Sequence, residues 1–136
     1  MENEIIFRPL KEEDYETIVQ WQTKCWKINL PKTMLPDGGK SGFMIEKNNK
    51  PVACAFFYVT NSKIALIGWV MSDPEYREED RQLLIELLIT NIEDNSKKMG
   101  YVHMYTISGH EKLSKTYRKL GWADSNENVV HLMKNL

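Results

Sequence analysis

The sequence predicts an α/β chain in which a mixed β-sheet is flanked by helices. Three observations carry that prediction. β-prone and helical segments follow one another in the order β, α, β, β, β, α, β, α, β. One long helical pattern, Asp80 to Met99, sits between two β segments and makes a β-α-β crossover, whose strands run parallel with a right-handed connection. The three β segments between Gly42 and Met71 are joined only by short polar turns, which makes an antiparallel meander. A crossover and a meander in one chain require a mixed sheet, and a ligand is expected at the carboxyl ends of the crossover strands.

Each element has its own signal. Glu4 to Leu10 is β-rich and leads into Lys11-Glu12-Glu13-Asp14, where acidic residues favour a helix N-terminus through the dipole. Tyr15, Ile18, Val19, Trp21, Cys25 and Trp26 recur at mostly helical spacing, so the first helix is expected to reach about Lys27. Pro31, Pro36 and Gly38-Gly39 then impose a loop. Gly42 to Glu46 and Val52 to Thr60 flank Asn48-Asn49-Lys50, and Asn61-Ser62-Lys63 leads to a third strand, Ile64 to Met71. The helix from Asp80 carries Leu83, Leu84, Leu87, Leu88 and Ile92 on an apolar stripe, ends in Lys97-Lys98 and stops at Gly100. Tyr101 to Ile107 reads as a strand, Gly109 to Leu120 as a helix ended by Gly121, and Val129 to Met133 as a last strand.

Composition narrows the function classes. At 136 residues the chain is expected to form one domain, 1–136, and 42% hydrophobic with 27% charged residues is a globular rather than a disordered balance. Eighteen Lys plus Arg against nineteen Asp plus Glu gives a net charge of -1, which removes the electrostatic case for a nucleic-acid or anionic-membrane partner. Cys25 and Cys54 show no metal-ligand spacing and read as two reduced, buried thiols. No apolar run approaches the ~20 residues of a membrane span, and MENEIIFRPL lacks a signal-peptide pattern, so a cytoplasmic protein is expected.

Two segments carry a family resemblance. Asp73-Pro74-Glu75-Tyr76-Arg77 precedes the long helix, and Leu113-Ser114-Lys115-Thr116-Tyr117-Arg118-Lys119-Leu120-Gly121-Trp122 pairs a tyrosine and a basic residue with Leu-Gly-aromatic. Together, in this element order, they resemble the GCN5-related N-acetyltransferases (GNAT), over nearly the whole chain. The resemblance implies transfer of an acetyl group from acetyl-CoA to a small-molecule or protein amine, with a homodimer as an allowed assembly. It implies cofactor contacts from Val70, Met71, the loop Arg77 to Gln82, His110 and Tyr117, with the pyrophosphate on backbone amides at the helix N-terminus. The family's Arg/Gln-x-x-Gly-x-Gly/Ala falls on Arg77-Glu78-Glu79-Asp80-Arg81-Gln82, so Asp80 and Gln82 stand where small residues are expected. Glycine allows close backbone approach to a phosphate. Asp73, Glu75, Glu78, Glu79 and Asp80 outnumber Arg77 and Arg81 there, and the sequence predicts weakened anion binding.

Acetyl transfer needs an acid for the leaving thiolate and a base for the amine. Tyr117 matches the family's acid, while Leu113, Tyr117 and Leu120 also form a packing stripe; both roles stay open. No carboxylate lies on the strand Ile64 to Met71 to act as base. His103, alternating with Tyr105 on one strand face, is the alternative, since histidine titrates near neutral pH. His110 takes the place of an asparagine common in the family, and Trp21, Trp26, Phe43, Phe56, Phe57, Tyr58 and Trp69 are candidates for an acceptor groove. A second function class is a catalytically degenerate descendant of the fold, serving as a binding or interaction module.

Overall fold

The polar turns and the long amphipathic helix direct the chain as their residues require. The computed structural model describes residues 4–25, 30–124, 130 and 132–136. In order they form β1 (Ile5–Pro9), α1 (Asp14–Cys25), 3₁₀ turns at Lys32–Met34 and Pro36–Gly39, β2 (Gly42–Lys47), β3 (Lys50–Tyr58), β4 (Ile64–Ser72), α2 (Arg81–Lys98), β5 (His103–Tyr105) and α3 (Glu111–Lys119). The sheet runs β1-β2-β3-β4-β5. Its first three pairings are antiparallel and the fourth, β4 with β5, is parallel, as the crossover demands. Asn48 and Asn49 make the β2–β3 turn with φ of 51° and 67°, the positive φ pair that a tight hairpin favours and that asparagine tolerates.

Both sheet faces are covered. On one, Leu84, Leu88, Ile89 and Ile92 of α2, with Tyr117 of α3, pack against Ile45, Ala53, Ala55, Phe57 and Ile67. On the other, Ile18 and Trp21 of α1, with Leu30 and Leu35, pack against Met44, Cys54, Phe56 and Met71. β3 therefore shows an unbroken buried run from Val52 to Phe57 instead of a strict alternation. The sheet entry is tied to α1 by Arg8 of β1. Its Nη1 and Nη2 donate to both carboxylate oxygens of Asp14, at 2.8 and 2.9 Å, and its Nε donates to Glu46 at 2.9 Å.

Gly42 is a close approach. A Cβ there would lie 2.4 Å from the Ala55 carbonyl oxygen and 2.9 Å from Phe56 Cα. Both neighbours are backbone of the central strand and cannot yield cheaply, so Gly42→Ala is expected to destabilise by about 1–3 kcal/mol, read as a lowered urea midpoint at unchanged slope.

Several sequence expectations are corrected. β5 is shorter than 101–107, because the chain leaves the sheet after the Leu66–Tyr105 pair. Leu83 is 53% exposed and belongs to the outer side of α2, its place in the apolar stripe being taken by Ile89. Cys25 is exposed; only Cys54 is buried, and burial pushes its thiol pKa up. The helix expected over Asp80 to Met99 runs Arg81–Lys98, with Asp80 at its N-cap position and no capping hydrogen bond from the Asp80 side chain. Of the expected last strand, Val129 and His131 lie outside the described residues, and Val130, Leu132 and Met133 are exposed and in no strand. The end of the first helix beyond Cys25, including Trp26, likewise lies outside them.

Candidate functional site

The end of β4 is where the sheet becomes irregular. Cys54 faces Met71 and Phe56 faces Gly68, so Trp69 and Val70 together oppose Ala55 in a β-bulge. Trp69 has φ of 53°, a left-handed conformation that costs a bulky residue about 1–3 kcal/mol. A relay holds it: the Trp69 indole N–H donates to the Tyr58 hydroxyl (2.8 Å), which donates to the Met34 carbonyl (3.0 Å). On the other side, the ladder between β4 and β5 stops and Thr106 Oγ1 donates to the Ile67 carbonyl at 2.7 Å in place of a backbone bond. Past that point the two strands diverge, and a cleft of about 880 Å³ opens between them.

β4 divides the cleft into two chemically different halves. Trp69 and Met71 pack with α1, and here the wall is Trp21, Gln22, Cys25, Trp69 and Met71. On the opposite face Val70 packs with Ile85 and Leu113, and the rim carries Glu79, Arg81, Gln82, His110 and Lys112 from the N-terminal turns of α2 and α3. Arg81 is anchored to the end of β4, its Nε and Nη2 donating to Ser72 Oγ at 3.2 and 2.6 Å. No salt bridge to Arg81 or Lys112 occurs among the described residues. With two helix N-termini beside them, these cations suit an anion. Gln82 Nε2 crosses the rim to Thr116 Oγ1 on α3, at 2.8 Å.

Tyr117 stands at the splay point. It is buried on α3, its ring 4.7 Å from that of Trp122. Its hydroxyl makes no hydrogen bond of good geometry, although the Thr106 hydroxyl lies beside it. Burial pushes its pKa up to about 12, so the phenol stays protonated throughout the physiological range.

No protein-family profile matches the chain, and no curated protein matches its sequence. Solved structures do match. The ribosomal-protein-S18-alanine N-acetyltransferase from Escherichia coli superposes with a TM-score of 0.73 at 17% identity, over 90% of this chain and 80% of that one. Aminoglycoside acetyltransferase AAC(6')-Iy, in complex with the bisubstrate analogue CoA-S-monomethyl-acetylneamine, gives 0.70 at 17% identity over 98% and 99%. N-acetylglutamate synthase from Neisseria gonorrhoeae, complexed with coenzyme A and L-arginine, gives 0.76 at 14% identity, over 96% of this chain and 30% of that one. The fold is that of the GNAT acyl-CoA N-acyltransferases.

Within the GNAT fold, the residues expected from sequence separate into two groups. Val70, Met71, Glu79, Arg81, Gln82 and His110 line the cleft, and Tyr117 lies behind it. Arg77 and Glu78 are exposed and away from the lining. Asp80 turns outward, its carboxylate bound by Lys47 Nζ from β2 and by the Tyr76 hydroxyl. Those two hydrogen bonds hold its pKa below the ordinary value, and its charge is offset by Lys47 rather than aimed at the cleft. The negative field expected from the sequence is therefore overstated at Asp80, because a lysine distant in the chain meets it.

His103 is corrected as a candidate base. It pairs with Ile64 at the start of β4, at the opposite end of the strands from the cleft, where it lines a separate hollow of about 360 Å³ with Glu93 and Trp122. Parallel register decides this: the first residue of β5 lies level with the first residue of β4. Of the aromatic candidates, Trp21 and Trp69 line the cleft, whereas Phe56 and Phe57 are core and Phe43 and Tyr58 support it. Gln22, Cys25, Ser72 and Lys112 were not anticipated as lining. Gln22 had a signal, since it follows Trp21 on the face of α1 that meets the sheet.

Proposed function

We propose that this chain is an acetyl-CoA-dependent N-acetyltransferase acting on a primary amine. The observation that carries the reading is the buried, protonated Tyr117 hydroxyl, which makes no hydrogen bond of good geometry and lies behind the cleft beside Thr106, where β4 and β5 part. A buried donor without an acceptor is costly, and its position gives it a use as a donor to a developing anion. The cationic half suits acetyl-CoA, with Arg81, Lys112 and the amides at the start of α2 as groups to hold its phosphates and Val70, Ile85 and Leu113 to bury its less polar arm. Acetyl-CoA, when bound, supplies an activated thioester.

The protein's own contribution is positioning and charge stabilisation. The bulge at Trp69–Val70 withdraws backbone groups from the β3–β4 ladder and leaves them at the cleft. Trp69, fixed through Tyr58 and Met34, shapes the wall on the amine side. Tyr117 acts as a hydrogen-bond donor before it acts as an acid. With its pKa at about 12 and a thiol's near ~8.5, full proton transfer to a free thiolate is uphill. The Tyr117 phenol would therefore stabilise, by hydrogen bonding, the negative charge that develops at the leaving sulfur of a bound thioester, and the net proton of the released thiol would be the one the amine gives up as the amide forms, passed through solvent.

Calorimetric titration with acetyl-CoA tests the reading. Binding is expected, weakening as salt rises. Arg81→Ala is expected to weaken it about 10- to 100-fold, the equivalent of a charge-assisted hydrogen bond of ~1.5–3 kcal/mol. The Gln82–Thr116 bond across the rim and Glu79 in the lining favour the alternative, a binding module of the same fold. No acetyl-CoA binding at any salt concentration would leave that alternative standing.

A further inference from the structure

The apolar half of the cleft has a definite chemistry. Its wall on α1 and β4 is Trp21, Gln22, Cys25, Trp69 and Met71. No carboxylate and no cationic side chain is among them. Among the described residues, the one carboxylate that lines the cleft, Glu79, belongs to the α2 rim on the other side of β4. A polycationic acceptor would thus leave several charges against aromatic rings and aliphatic carbons with no counter-charge, and desolvation penalises that arrangement.

Gln22 is the exception in this wall. Only 1% of it is exposed. Its Oε1 accepts the Leu30 N–H at 2.7 Å, which fixes the orientation of the amide. Its Nε2 is buried and has no hydrogen-bond partner among the described residues. Such a donor is costly when left unmet. Because the loop after α1 clamps the oxygen through Leu30, the NH₂ cannot flip to another partner without breaking that bond.

A second constraint comes from the composition of β4. The amine must be neutral to attack, and no carboxylate on β4 removes its proton. An α-amino group beside a carbonyl titrates at ~7.7–8.0, whereas an alkyl amine of the lysine type titrates at ~10.4. Near neutral pH the first offers a neutral fraction larger by roughly two to three orders of magnitude. An apolar wall lowers the amine pKa further on binding.

We propose that the acceptor is an α-amino group flanked by a neutral carbonyl and an apolar side chain, its carbonyl taking the hydrogen bond of Gln22 Nε2 and its side chain packing between Trp21 and Trp69. A free amino-acid amide and the N-terminus of a polypeptide share this chemistry. The assignment deepens the acetyltransferase reading and rests on it for the nature of the reaction, while its binding test does not require transfer.

Tryptophan fluorescence reads the proposal directly, since Trp21 and Trp69 form the wall. Leucinamide, a leucine-initiated tripeptide, isopentylamine and spermidine are titrated into the full chain, with and without coenzyme A. Leucinamide or the tripeptide is expected to bind at least tenfold more tightly than isopentylamine, which is leucinamide without its carboxamide, and spermidine is expected to be weakest. The tighter of the first two identifies the source, free amide or polypeptide. Gln22→Glu keeps an oxygen for the Leu30 N–H but removes the donor, and is expected to collapse the leucinamide-to-isopentylamine ratio toward unity. Spermidine binding best, or an equal affinity for leucinamide and isopentylamine in the wild type, would overturn the proposal even if Gln22→Glu does not fold. Failure of acetyl-CoA to bind, with the amine preferences intact, would instead overturn the transfer reaction and leave the pocket assignment in place.

Discussion

Tyr117→Phe is expected to lower turnover by about 10²- to 10³-fold, the range lost when one hydrogen-bond donor to developing negative charge is removed, while leaving the fold at least as stable as before. The two halves of this expectation have one origin. The hydroxyl is buried and makes no good hydrogen bond in the resting protein, so removing it deletes no stabilising contact, and the ring keeps its packing on Trp122. A tyrosine serving only the core would leave turnover unchanged when its hydroxyl is removed. Because the phenol titrates at about 12, no alkaline limb of the wild-type rate profile below that value is assigned to Tyr117. Steady-state kinetics across pH, beside thermal melts of both proteins, separates these cases. A phenylalanine variant that transfers at the wild-type rate removes Tyr117 from the mechanism.

Asp14→Asn is expected to cost about 3 kcal/mol at neutral pH, as breaking one partner of a largely buried ion pair does, and to lower the melting temperature by roughly 10 °C. Asp14 is 4% exposed. Burial alone would raise its pKa, but two hydrogen bonds from Arg8 and one from the Lys11 N–H outweigh burial and hold it below the ordinary value of 3.8. The sign of the pH dependence follows. A carboxylate whose folded-state pKa is depressed contributes stability fully above its unfolded pKa, and that contribution is lost as pH falls from there through the folded value. The wild type is therefore expected to lose stability steeply below about pH 4, and the asparagine variant to be less stable at pH 7 with a shallower acid limb. Urea midpoints measured from pH 7 down to pH 2 give both curves; parallel curves would assign the acid sensitivity to other carboxylates.

Local signals were enough for most of the architecture. Asn48-Asn49, the Leu84/Leu88/Ile92 stripe and Gly100 each specify their own turn, face or stop without help from distant residues, and the crossover follows from their order. The cleft was legible wherever it is built from one continuous segment, as with Val70-Met71 and the start of α2. What sequence did not show depends on partners far apart in the chain. Lys47 reaches Asp80 across 33 positions, and nothing near Asp80 announces it. His103 looked well placed until the parallel register set it level with Ile64. Gln22 gains its meaning only when the Leu30 N–H takes its oxygen.

The bridge from Gln82 to Thr116 has a consequence for how fast and how tightly any ligand enters. Both residues line the cleft, so a chain threading between α2 and α3 must first part them. A net hydrogen-bond free energy of ~0.5–1.5 kcal/mol corresponds to an open population of roughly a tenth to a third. Apparent affinity falls by the inverse of that fraction, however good the contacts inside. The same bond re-forms behind a ligand that fits beneath it and slows its departure, so the rim trades encounter affinity for residence time.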